Sequence, residues 1–304
     1  MKNVTKILTA VTFCAALFAS DQRIDALGGN AAFWPGDEAN IAAFPAQVNN
    51  HSYLQLSGVG GDGADPEVFD ANGHVSILWQ EDGTTWGFNY GGDDWVNMHW
   101  GNGDMGVTVG MEKDDNANGE KSDMSVSWGG DLGFGEMGIH YATVNNGDDD
   151  ATLGVDWRKD CGFWIFDNTV VHAPDLMADD LAVHADFWKA IDAGGASVVY
   201  AFGVEYAGGD AGYMSHSATV GVEANMTDWA TLRAGYTWGH KLSDEGDNVG
   251  NTGDAFTWGL GFNWGGLTAD LTVDSGLFQD PVGAITGYDD GGVTDHTVTL
   301  TYGF

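Results

Sequence analysis

Basic residues are scarce in this chain. Ten Lys and Arg stand against 45 Asp and Glu, for a formal net charge of −35. Nucleic acid is thereby excluded as a partner, because phosphate binding needs Lys and Arg. The acid excess fits solubility in a salty medium, where screening tempers self-repulsion, and it fits equally a pore and rim that favour cations. There are two cysteines. Cys14 falls in an N-terminal leader and Cys161 stands alone after it, so no intrachain disulfide is expected. Beyond Ile7–Ser20 no apolar run approaches the roughly 20 residues of a membrane helix, and the mean hydropathy of −0.18 excludes a helical membrane protein. A transmembrane β-barrel is not excluded, because its lumen face is polar and hides it from hydropathy.

Glycine and aromatic residues are plentiful, with 47 Gly, 13 Trp, 9 Tyr and 15 Phe, against five Pro. Strands carrying Gly on a crowded face and aromatics at their ends produce that mixture. The last ten residues show the pattern most simply. Val298, Leu300, Tyr302 and Phe304 alternate with Thr297, Thr299, Thr301 and Gly303, so an extended strand there has one apolar and one small polar face. Alternation by itself does not separate lipid from a soluble sandwich core. From Ser52 onward, however, similar segments recur between Gly/Asp/Asn turns. Their apolar faces run from Leu54 and Leu56, through sets such as Trp86/Phe88/Tyr90 and Val198/Tyr200/Phe202/Val204, to Phe256/Trp258/Leu260/Phe262/Trp264.

The count is sixteen strands, or fourteen if the short third and fourth segments are one region. Connections alternate between tight turns, such as Glu81–Gly83, Asn102–Asp104 and Gly265-Gly266, and longer acidic loops, such as Lys241–Asp254 and Ser275–Gly292. A sandwich has no reason to alternate in this way; a membrane barrel with turns on one rim and loops on the other does. The predicted fold is an all-β, transmembrane, antiparallel up-and-down barrel of 14–16 strands, sixteen being favoured. The ninth strand is assigned to Gly162–Val171 with its facing open, because Phe163, Trp164, Ile165 and Phe166 are contiguous.

The presumed lipid faces carry no charge. The opposite faces carry Glu112, Asp123, Glu136, Asp156, Arg158, Asp186, Glu205, Glu223, Arg233, Asp270 and Asp274. An Arg or Lys on the lipid face costs about 2–4 kcal/mol at midplane, so charge retreats to a wet lumen. Glu112, Asp123, Glu136, Asp156, Glu205, Glu223 and Asp270 are the expected cation-attracting lining, with Arg158 and Arg233 supplying a transverse field. Trp79, Trp100, Trp128, Trp157, Trp238 and Trp264 fall near strand ends, as an interfacial girdle requires.

Three parts are expected: a signal peptide over 1–20, a periplasmic or plug segment over 21–50, and the barrel over 51–304. The leader has Lys2 and Lys6, then apolar residues, then small Ala19 and Ser20. Asp21–Asn50 lacks strand alternation. It contains Ala26-Leu27-Gly28-Gly29-Asn30, Asp37-Glu38-Ala39-Asn40-Ile41 and Phe44-Pro45-Ala46. That order resembles the N-terminal segment of the FadL/PorV-like outer-membrane barrels, with Phe-Pro-Ala where the family has Asn-Pro-Ala. The resemblance implies a segment packed in or under a fourteen-stranded barrel; a plain plug or strap is the alternative. The alternation Val298, Leu300, Tyr302, Phe304 resembles the terminal strand of Gram-negative outer-membrane barrels, which the barrel-assembly machinery reads. The resemblance implies a bacterial outer-membrane location, with lipid and lipopolysaccharide around the barrel and a homotrimer as a candidate assembly.

No catalytic set is found. A Gly-x-Ser-x-Gly elbow and His-Glu-x-x-His are both absent, and the nine histidines are scattered, with His99, His140 and His184 sharing the lumen face. No cofactor and no dedicated metal site are expected, although acidic loops such as Asp148-Asp149-Asp150 suit weak, adventitious divalent binding. Three functions remain in view. The leading one is a porin for passive diffusion of small hydrophilic solutes, cation-preferring through its lumen. The second is a FadL-like transporter of hydrophobic molecules with Ala26–Ala46 as a hatch and an apolar pocket from Phe163, Trp164, Phe166, Phe187 and Trp188. The third is a non-transport, PorV-like or structural barrel.

Overall fold

The structure, a computed structural model, describes residues 21–59, 69–91, 95–112, 123–145, 149–209, 212–244, 249–273 and 298–304. The expected leader with Cys14, most of the acidic loops including Asp148 and Ser275–Gly292, and Asp274 lie outside the described residues. Sixteen antiparallel strands close into one barrel, each paired with its neighbours in sequence and β1 (Tyr53–Val59) with β16 (Val298–Gly303). The short third and fourth segments are separate strands, β3 (Thr84–Gly91) and β4 (Trp95–Gly101), so sixteen stands and fourteen does not.

Period-two alternation sets the facing of every wall. Leu54 lies opposite Tyr302 on one side and Ile77 on the other; Ile77 lies opposite Phe88, Phe88 opposite Met98, and Met98 opposite Val109. This continuous apolar band is the outer surface: Tyr302 is 51% exposed while its neighbour Thr301 is fully buried. An apolar exterior around a polar, closed strand ladder is the architecture that satisfies every backbone group inside a bilayer. The tight turns share one rim. Asp82-Gly83 and Gly265-Gly266 there both take positive φ, as two-residue hairpins demand. On the same rim a cross-strand row of Trp79, Trp86 and Trp100 runs outward-facing, with Trp128 two strands on. On the outer face Lys189 is paired, with Asp167 at 2.9 Å.

The ninth strand differs from expectation. β9 is Asn168–Ala173, six residues, and Cys161–Asp167 is not strand. Its contiguous aromatics cannot alternate, so the segment turns on itself, with Trp164 at φ 58° and Phe163 bridging Phe166. It then folds back over the outside of the wall. Phe163 lies 5.0 Å from Phe187 and Phe166 lies 5.6 Å from Tyr200, and both partners face outward.

The wall is uneven. β3, β4, β5 (Met105–Glu112) and β6 (Met124–Asp131) run seven or eight residues, whereas β12 (Tyr213–Thr227), β13 (Ala230–Asp244) and β14 (Gly250–Trp264) run fifteen. Residues 21–50 pack inside the barrel and touch both the low and the tall wall.

Candidate functional site

The lumen is the site, and residues 21–50 occupy much of it. The segment contains α1 (Asp21–Ala26) and 3-10 turns at Ala31–Phe33, Glu38–Ile41 and Pro45–Asn50. Short polar residues explain its shape. Asn30 and Asp37 cap turns by accepting from the backbone N–H groups of Ala32 and Ala39, at 3.0 and 2.9 Å. Gly28 at φ 103° reverses the chain after α1, where a side chain would also meet Thr219. The Asn40 amide donates to the carbonyls of Ala31, Trp34 and Asp37, tying the first two 3-10 turns together.

At the tall wall the segment is held by charge, on glycine seats at Gly221, Gly235 and Gly259 that Leu27, Gly28 and Ala26 fill. Arg23 donates to Asp37 at 2.5 Å and to Glu223 at 2.7 Å; Arg233 donates to the same Glu223 at 2.8 Å and to Asp270 at 2.5 Å. Both guanidiniums are almost fully buried. Burial opposes the Arg23 charge, but Glu223 and Asp37 around it raise its pKa. Burial outweighs Arg23 at Asp37, whose carboxyl is pushed up to about 6, and it pushes Glu38 well above the carboxylate range, with Asp37 adding to that shift. A second hub lies across the lumen. Arg158 donates to Asn40 at 2.9 Å and to Glu136 at 2.6 Å, with its guanidinium 4.3 Å from the Phe44 ring; Gln47 donates to the other oxygen of Glu136.

At the low wall the segment is held by shape. Lumen-facing Gly106, Gly129 and Gly138 leave room that the backbone of Ala43, Pro45 and Ala46 fills; a β-carbon at any of them would collide with that backbone. Apolar groups seal the docking. Phe33, Trp34, Phe44, Leu27 and Ile24 cluster with lumen-facing Trp188, Val170 and Val199, and Ile41 and Val48 with Tyr53 and Leu78.

These contacts revise the expected lining. Glu136, Arg158, Glu223, Arg233 and Asp270 do face the lumen, but they are bound to one another or to residues 21–50, so the two arginines do not supply a free transverse field. The remaining wall acids have no guanidinium partner among the described residues. Asp156 meets His140 at 3.0 Å and His172 at 2.7 Å, Asp186 meets His184 at 2.9 Å and accepts from Asn30 at 3.1 Å, and Glu205 accepts from Tyr213 at 2.6 Å. Asp123 stands just before β6 (Met124–Asp131) with one buried oxygen unpartnered. Glu112 ends β5 (Met105–Glu112), and its side chain lies outside the described residues. Val298, Leu300 and Tyr302 share the outward face, with Phe304 exposed beyond them. The apolar lumen pocket expected from Phe163, Trp164, Phe166, Phe187 and Trp188 does not form. The first four lie on or outside the outer wall, and Trp188 alone faces inward, 6.2 Å from Phe33. Nor do His99, His140 and His184 meet: His99 bonds Thr108, and His140 bonds Ser127 and Asp156. Among the described residues no group of three or more His, Cys, Asp and Glu is arranged to hold a metal ion.

Cavities remain among the described residues. One of about 330 Å³ lies between the segment and the low wall, lined by Gln55, Ser76, Asn89, Asn97, Thr108, Ser125 and Ser127, with Asp21 and Glu38 opposite. One of about 380 Å³ is lined by Glu205, Ser215, Ser217, Thr237 and His184. His184 also lines a third, of about 260 Å³, between Phe44, Asn30 and Asn40 of the segment and Asp156, Val170, His172 and Asp186 of the wall.

No family model and no curated protein matches this chain. Among solved structures it resembles a chain described as "Asymmetric conductivity of engineered proteins", at 13% identity and TM-score 0.39, covering 83% of this chain and 98% of that one. It also resembles OmpT of Vibrio cholerae, an outer membrane protein also solved in trimer form, at 15% identity and TM-score 0.24, covering 80% and 67%. A second OmpT structure, expressed in the outer membrane, has 12% identity and TM-score 0.22, with 76% and 65% covered. At these values nothing beyond a general likeness is drawn from them.

Proposed function

We propose that this barrel is an outer-membrane channel of the porin class, in which residues 21–50 narrow the lumen and small hydrophilic solutes pass beside them. The observation that carries the reading is the chemistry of the space that remains. On the wall side the cavity along the low wall is lined mainly by hydroxyl, amide and imidazole side chains, with Ile41, Tyr53 and two alanines bordering it, while the large aromatic groups of the segment are consumed in docking. Such a wall can exchange hydrogen bonds with a hydrated solute. Cation preference follows from the wall carboxylates without guanidinium partners, Asp156, Asp186 and Glu205, rather than from the whole acidic set.

The test is conductance of the refolded chain in a planar bilayer under a salt gradient. A small, steady conductance with cation-selective reversal potential is expected, lowered in selectivity by Glu205→Gln. Anion preference would sink the acidic-lumen part, and a silent barrel would sink the porin part. A second reading, a hatch that must leave before anything passes, is favoured by the contacts that residues 21–50 make with both walls. It predicts a silent barrel that conducts once residues 21–50 are removed.

A further inference from the structure

We propose that His172 and His184 form a lumenal binding site for a borderline divalent transition-metal ion, of the Zn²⁺, Cu²⁺ or Ni²⁺ class. This goes beyond the porin reading and stands whether or not the barrel conducts. The two residues are direct cross-strand partners, His184 of β10 (Ala182–Asp192) opposite His172 of β9. Opposed side chains in an antiparallel pair have β-carbons about 4.5–5.5 Å apart, within the span that two imidazoles need to share one ion. Both line the same 260 Å³ cavity, so an ion between them has space.

The neighbouring carboxylates set up the ring nitrogens for ligation. A carboxylate only accepts, so His172 donates its Nδ1–H to Asp156 at 2.7 Å and His184 donates its Nε2–H to Asp186 at 2.9 Å. That leaves the lone pairs of His172 Nε2 and His184 Nδ1 without a hydrogen bond among the described residues. A carboxylate behind an imidazole orients the ring and raises its basicity toward a metal. His140 is different. Its Nε2 faces Asp156 and the Ala43 carbonyl, and its Nδ1 meets Ser127, so both nitrogens are used. Asp156 and Asp186 face histidines and Asn30 rather than arginines, so the pocket keeps negative charge to balance a cation. Imidazole nitrogens select borderline metals over Mg²⁺ and Ca²⁺, which prefer oxygen. With two protein ligands the remaining positions belong to water, so the site is open and exchangeable rather than a structural cage.

The experiment is titration of the refolded full chain with Cu²⁺, followed by calorimetry and by electron paramagnetic resonance. One saturable Cu²⁺ per chain with a two-nitrogen signature is expected, and millimolar Mg²⁺ should not displace it. His172→Gln and His184→Gln should each reduce the signature to one nitrogen. Asp156→Asn or Asp186→Asn should weaken binding by about 10–100-fold with both nitrogens retained, a pattern that loss of fold does not produce. His99, a lumenal histidine that bonds Thr108 and has no histidine opposite it, serves as control, and His99→Gln should change nothing. Binding that survives the His172/His184 double substitution, that Mg²⁺ displaces, or that is absent from the wild-type chain would overturn the proposal.

Discussion

The two ends of residues 21–50 grip the barrel by different physics. Around Arg23 the grip is electrostatic: two buried guanidiniums and three carboxylates share bonds of 2.5–2.8 Å. Around Pro45 it is steric: backbone lies in seats that three wall glycines vacate. A buried charge network is strong while whole and costly once broken, because removing one partner strands the others in a dry site. A glycine seat carries no such coupling and fails only when something fills it. The Arg23 end also rests on glycines, Gly221, Gly235 and Gly259 against Leu27, Gly28 and Ala26, so what sets it apart is the charge network: a charge change should release that end and leave the Pro45 end seated.

Arg23→Ala is expected to have the largest effect. It strands Asp37 and leaves Glu223 to Arg233 alone, at a cost of about 3–5 kcal/mol in docking. Limited proteolysis should find residues 21–30 newly accessible and bilayer recording should find a larger conductance; unchanged protection would break the contrast. Gly106→Val comes next, at about 1–3 kcal/mol, because the new side chain must displace the Pro45 carbonyl. Here the accessible region should be 43–50 with 21–30 still protected. The two sites touch no common residue, so the double variant should show near-additive loss.

A pH series sharpens the electrostatic half. The buried carboxyls of Asp37 and Glu38 are raised above their values in an undocked segment, so docking takes up protons. The Asp37 contribution is fully present below the ordinary carboxylate range and is lost as pH rises through about 6. Protection of residues 21–50 should therefore be greater at pH 5 than at pH 8, and Asp37→Asn should flatten the difference. The smallest effect is expected from Gln47→Ala, which removes one hydrogen bond to Glu136 at the steric end, about 1–2 kcal/mol, and leaves the Arg23 end untouched.

The barrel was legible because its signal is local and repeated. Alternation at Phe256, Trp258, Leu260, Phe262 and Trp264 needs no partner to be read, and sixteen repeats of it outvote any single ambiguous segment. Gly162–Asp167 reads as strand for the same reason in reverse: contiguous Phe163–Phe166 has no period, and only the outward rings of Phe187 and Tyr200 decide where it goes. The lumen acids were found by parity, but parity cannot say which acid meets a cation. Arg23 and Glu223 are 200 residues apart, and no spacing rule couples them. His172 escaped notice because its strand had the wrong boundaries; correct parity on β9 would have placed it opposite His184.

By itself, then, the sequence determined an apolar outside, a polar inside, closure by many short strands and an irregular segment before the first of them. Each follows from side-chain periodicity, backbone hydrogen-bonding demand and charge desolvation, which act residue by residue. Only the tertiary structure decided that residues 21–50 lie within the lumen and which acids they neutralise. Glycine seats are recognised by what fills them, and ion pairs by distances between strands that the chain order does not bring together.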